Sequence, residues 1–177
     1  TTRPARAPVA ASGNVACAEA VRRRVRKFPR NGLFVWASPD IVATRGRCLY
    51  TQRNTQCLNR PIGVGWDPVN NVLLVADTGA SYIKTFKVAD GTWLSTSPSG
   101  KNTLGFTDPR DVTRGPLGYI WVSAYEQNQI KAYQVSGTGG AETWTLKATL
   151  GDGSKGGHGT NQLNFRYNLG VTPAKPH

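Results

Sequence analysis

Leu73-Leu74-Val75-Ala76-Asp77, followed by Ile83-Lys84-Thr85-Phe86, is met a second time as Ile120-Trp121-Val122-Ser123-Ala124, followed by Ile130-Lys131-Ala132-Tyr133. In each copy the central Val precedes the Ile by eight residues, and a Lys follows that Ile directly. A fixed internal period marks a repeat architecture. Repeat folds tend to present binding surfaces rather than one buried catalytic centre.

Working outward from the first copy, short strands separated by turn residues account for the chain between Ile62 and Thr96. Ile62–Asp67 leads into a turn at Pro68-Val69-Asn70-Asn71, and Val72–Ala76 is an uninterrupted apolar run of the kind buried on both faces. Asp77-Thr78-Gly79 turns the chain, Tyr82–Val88 alternates, Asp90-Gly91 turns it again, and Thr92–Thr96 completes four strands. The same order recurs as Asp111–Thr113, Tyr119–Ser123, Gln129–Val135 and Glu142–Leu150. Each set reads as a four-stranded antiparallel meander. The stretches between sets, Ser97–Phe106 and Gly151–Phe165, are rich in Gly, Ser and Asn and end on an aromatic residue.

A four-stranded meander repeated at about 45 residues is the pattern of a β-propeller blade. The residues also resemble a family. Pro61-Ile62-Gly63-Val64-Gly65-Trp66-Asp67, the strand Val72–Asp77 and Ile83-Lys84-Thr85-Phe86 are similar to an NHL repeat, and Gly159–Phe165 resembles the lead-in to a further blade that begins at Leu169-Gly170-Val171. Asp111 stands where the first repeat has Gly63, and Ala124 stands where it has Asp77. Pro61 and Pro109 are 48 residues apart, but Asn168 lies 59 beyond Pro109, so the second repeat carries an extra loop. The resemblance implies an all-β fold of NHL-like propeller blades. A degenerate blade is expected at residues 31–58, full blades at 59–105 and 106–164, and the start of another at 165. Such a set leaves an incomplete ring, because propellers close with about 4–8 blades. The segment 31–177 is therefore expected to belong to a larger propeller or an assembly, with apolar surface around Leu74 and Trp121 exposed unless further blades or partner chains cover it. The absence of Met and the start at Thr1 fit a processed chain or a piece of a longer one.

Residues 1–30 read differently. Thr1–Gly13 is an extended arm rich in Pro, Ala, Thr and Arg. Asn14–Phe28 is predicted as a short basic helix, with Ala18, Val21, Val25 and Phe28 on one side, cations in its last turns and Pro29 as its stop. The chain's net charge is +12, of which residues 1–60 carry +10 and residues 61–177 only +2. A basic block of this kind favours an acidic surface or RNA. Arg22, Arg23, Arg24, Arg26 and Lys27 are the expected contacts, within residues 20–30. The alternative is a solvated tail, or a helix packing its apolar stripe on the neighbouring sheet.

The candidate chemistry is sparse. His158 and His177 are the only histidines, and neither lies near Cys or carboxylates at metal-ligand spacing, so no metal or cofactor and no catalytic residue is assigned. Asp67, Asp77 and Asp152 are single carboxylates at turns, where capping the backbone is their expected task. Cys48 and Cys57 flank a segment able to turn back as a hairpin. They form either a disulfide, which favours an extracellular or secretory compartment, or two reduced thiols, which favours an organelle or the cytoplasm. Cys17 has no partner in either case. No apolar run approaches the roughly 20 residues of a membrane span.

These readings lead to a non-enzymatic scaffold or protein-interaction module, with protein partners or further blades completing it. Tyr125 and Glu126, at a loop where members of the resembled family bind partners, are the expected contact on the blades. The alternatives are RNA binding through the basic segment, and a fragment of a propeller lyase or hydrolase. The family's lyases use metal and His ligands around the central channel, which this sequence lacks.

Overall fold

The computed structural model describes residues 15–19, 24–28, 36–37, 57–98, 104–137 and 141–153. Among these residues, eleven strands form three antiparallel sheets. The first contains β1 (Val15–Glu19), β2 (Arg24–Phe28) and β3 (Trp36–Ala37) in that order. The second is the meander β4 (Pro61–Asp67), β5 (Val72–Asp77), β6 (Tyr82–Lys87) and β7 (Trp93–Thr96). The third repeats it with β8 (Pro109–Arg114), β9 (Ile120–Ala124), β10 (Gln129–Ser136) and β11 (Thr143–Leu150). Both expected meanders are present, and each strand pairs with the next in sequence.

The sheets stack, with β1 against β4, and β8 against β4 and β5. Strand β5 shows why its sequence is apolar without alternation. Leu73 and Val75 point into one core with Ala16, Ala18, Val25, Leu58, Val64 and Phe86. Leu74 and Ala76 point into a second core with Ile83, Phe106, Val112, Ile120, Val122 and Tyr133. A strand with a core on each face has no solvent side to mark with polar residues. The expectation of exposed apolar surface at Leu74 is corrected accordingly, since the third sheet covers it. Among the described residues the exposed large apolar side chains are Val69 and Leu117 in turns, and Leu146 and Leu150 on β11.

Glycine sets the spacing between the second and third sheets. A Cβ on Gly65 would lie 2.1 Å from the Val112 carbonyl oxygen, and one on Gly63 would lie 2.5 Å from that of Arg110. Only a residue without a side chain lets β4 approach the backbone of β8 this closely. Strand β8 faces no such constraint at Asp111, whose side chain lies beside Gly63.

The helix expected over Asn14–Phe28 is not formed; its residues contribute the strand pair β1 and β2. Burial there follows a period of two and not the three-and-four spacing of the expected stripe. Ala16 and Ala18 are buried while Cys17 and Glu19 are half-buried, and in β2 Val25 and Lys27 are buried while Arg24 and Arg26 are half-buried. The register pairs Glu19 with Arg24. Glu19 accepts from Arg24 Nε and, at 3.2 Å, from Arg26 Nη1, which balances the cations across the strand pair. Burying Ala16, Ala18 and Val25 against the Leu73–Val75 face then decides for strand.

Candidate functional site

The lysine of the repeated segment holds each meander to the chain that precedes it. Lys84 is fully buried, forms an ion pair with the equally buried Asp77 at 2.9 Å, and donates to the Cys57 carbonyl. Burial pushes its ammonium below the usual lysine range, and the Asp77 charge partly offsets this. Asp77 also accepts from the Asn59 amide at 2.7 Å, so it is a strut and not the turn cap expected from its position. Asp67 does cap its turn, accepting from the amides of Val69 and Asn70. In the third sheet Lys131 repeats the bond of Lys84, donating to the Gly105 carbonyl, but Ala124 occupies the place of Asp77. Lys131 is thus a nearly buried lysine whose pKa burial lowers, with no carboxylate to offset it.

Charge and backbone strain converge at one end of the strands. Arg60 and Asp108 occupy equivalent positions, each just before a proline that opens an innermost strand, and both have left-handed φ (65° and 53°). Residues before proline are normally held in extended backbone, so such conformations persist only where surrounding contacts fix them. Asp108 accepts from Arg110 Nε at 3.0 Å and Nη2 at 2.6 Å, and Arg60 Nη2 stands 3.8 Å from its other oxygen. The Arg110 guanidinium carbon lies 4.0 Å from the centre of the Tyr125 ring, a cation–π contact. Thr78 Oγ1 donates to the Pro109 carbonyl at 2.6 Å, and the Thr107 amide donates to Gln127 Oε1 at 3.0 Å. The tight turns Thr78–Ala80 and Tyr125–Gln127 thereby clamp the entry to β8. The result is a rim bearing two arginines, a carboxylate and a phenol, suited to hold a polar or anionic group.

Tyr125 lies in this rim, under Arg110, and Glu126 is exposed beside it. Asp108, Arg110 and Arg60 escaped the sequence reading. The available signal was the residue before each repeat proline, Arg60 and Asp108, carrying opposite charge. The described cations of the basic segment are engaged within the fold. Lys27 is buried and donates to the Val88 carbonyl at 2.8 Å, and Arg24 and Arg26 are paired with Glu19. Arg22, Arg23, Cys48, His158 and His177 lie outside the described residues. Cys57 is disulfide-bonded and Cys17 carries a free thiol. Burial pushes the Cys17 thiol pKa up, with Glu19 adding to the rise and Arg26 opposing it, so it is no activated nucleophile. Among the described residues there is no grouping of three or more His, Cys, Asp or Glu able to hold a metal, and no helix long and apolar enough to cross a membrane.

No protein-family model matches the chain, and no curated protein matches it in sequence. Solved structures do share its fold. A catalytically inactive H270A virginiamycin B lyase from Staphylococcus aureus, with quinupristin, aligns at TM-score 0.52 and 13% identity, over 80% of this chain and 40% of that one. The periplasmic gluconolactonase of Pseudomonas aeruginosa aligns at TM-score 0.58 and 14% identity, over 82% and 39%. A luciferin-regenerating enzyme aligns at TM-score 0.56 and 10% identity, over 83% and 45%. The chain spans less than half the length of each. These three are enzymes, which corrects the expectation that a propeller architecture here means a non-enzymatic scaffold: the same fold carries lyase and lactonase activity. At such identities the likeness speaks for the fold alone, and on it the chain is a β-propeller segment with an incomplete ring.

Proposed function

We propose that this chain is a segment of a propeller enzyme of the lyase or hydrolase type, built from NHL-like blades and acting on a cyclic ester at the rim around Asp108, Arg110 and Tyr125. The observation that carries the reading is the coincidence of strained backbone, paired charge and a cation–π contact at one strand end, in a fold shared with a lyase, a lactonase and a luciferin-regenerating enzyme. Arg110, held on one edge by Asp108 and on one face by Tyr125, is placed to stabilise negative charge developing on a carbonyl or lactone oxygen. A disulfide between Cys48 and Cys57 is part of the same proposal, tying the segment before β4 to the stack.

The test is turnover of gluconolactone and of quinupristin by the full chain, with Arg110→Met alongside. The reading expects turnover of at least one compound, with kcat/KM falling about a hundredfold or more in the variant, as for loss of one preorganised donor. An equal rate in the variant, or no turnover of either compound by a folded chain, overturns it.

A further inference from the structure

At the strand ends opposite the rim, a cavity of about 310 Å³ lies between the second and third sheets. This is the size of a small-ligand site, for which ~300–1,000 Å³ is usual. Its walls are apolar and come from both sheets: Val72, Leu74 and Leu94 from one, Ile120, Val135 and Trp144 from the other. Trp144 is braced by Tyr133, ring centres 5.8 Å apart, and forms a rigid aromatic wall.

Most polar groups in the lining already have partners. Thr85 Oγ1 and Ser95 Oγ bond each other at 2.6 Å. Asp67 is buried; its Oδ1 accepts from the Val69 and Asn70 amides, and its Oδ2 accepts from Asn70 Nδ2 and Arg114 Nη1, both at 2.8 Å. Arg114 is different. Its side chain is mostly buried, yet Nη1 is the one guanidinium nitrogen with a hydrogen bond among the described residues. A guanidinium offers five donors in a planar fork, so Nε and Nη2 are left to a planar acceptor. Both oxygens of Asp67 are already engaged, so Arg114 brings the spare donors at that end. Glu142, on the third sheet, lines the same cavity and opposes a second negative charge.

We propose that this cavity is a binding site for a small apolar monocarboxylic acid, its carboxylate on Arg114 and its hydrocarbon body between Leu94, Val135 and Trp144. The site is independent of the rim and of any reaction there.

Calorimetric titration of the full chain with phenylpropionate, phenylpropionamide and phenylsuccinate tests this. Saturable one-to-one binding of phenylpropionate is expected. The neutral amide and the dicarboxylate should each bind about tenfold more weakly or worse, because one lacks the charge that the fork strengthens and the other adds charge beside Glu142. Arg114→Gln should lose affinity to the same degree. Because that change also deprives Asp67 of a partner, Leu94→Trp serves as a second variant; it fills the cavity, leaves the ion pair intact and should abolish binding. Failure of phenylpropionate to bind the wild-type chain overturns the proposal. So does equal affinity for the amide or the dicarboxylate, or unchanged binding to Leu94→Trp.

Discussion

Two lysines at equivalent repeat positions make the same backbone bond in different electrostatic settings, and they should respond differently to mutation. Asp77→Ala strands the Lys84 charge in a fully buried site, which for a broken buried pair costs about 3–5 kcal/mol. Removing both partners as Asp77→Ala with Lys84→Met should cost less than the two single changes added together. Urea denaturation of the four proteins in the cycle measures this, and strict additivity would show that the pair is not coupled. Lys131 has no carboxylate, and burial holds its folded-state pKa below the ordinary lysine value of 10.5. The cost of burying its charge is therefore fully present at neutral pH. It is relieved as pH rises through the folded pKa toward 10.5, because the folded state gives up the proton before the unfolded state does. The stability of Lys131→Met relative to wild type should decline across that alkaline window, and a difference that stays flat with pH would contradict the assignment. The Val-x8-Ile-Lys spacing was readable in sequence at this scale. The loss of the carboxylate at Ala124 was also readable, but its consequence was not, since it depends on the Gly105 carbonyl reaching Lys131 from a distant turn.

At the scale of elements, the strands with a core on both faces were the legible ones. Val72–Asp77 is apolar along its length because both cores need it. The strands Val15–Glu19 and Arg24–Phe28 are expected as a helix from the spacing of Ala18, Val21, Val25 and Phe28, but the buried set alternates instead and includes Lys27. The choice is made by Glu19 meeting Arg24 and Arg26 across the strand pair and by packing on the second sheet, the latter not local in sequence. Tyr125 is named from the sequence, but its rim partners Asp108 and Arg110 are not, because Tyr125 meets them only after β8 and the Tyr125–Gln127 turn are in place. The approach of β4 to β8 is the most exacting contact between elements. Gly65→Ala would put a Cβ 2.1 Å from the Val112 carbonyl oxygen. The strands must separate to admit it, at a cost of about 1–3 kcal/mol or more. Thermal unfolding should show the loss, and an Ala variant as stable as wild type would mean that the two strands do not lie this close.

For the whole molecule, the second core is built jointly by the second and third sheets, so the two meanders should behave as one cooperative unit rather than as beads on a string. That joint core also encloses the inter-sheet cavity and holds β8 where its rim residues meet the turns of both meanders. The two proposed sites therefore depend on one contact. Amide hydrogen exchange, mapped by peptide in wild type and Gly65→Ala, tests this most directly. Wild type should show β5, β8 and β9 protected to a common opening free energy, with β11 exchanging faster because much of it is exposed. Gly65→Ala should lower protection in β8 and β9 as much as in β4 and β5. A variant that loosens β4 and β5 while leaving β8 and β9 unchanged would show that the meanders fold independently, and would contradict the account.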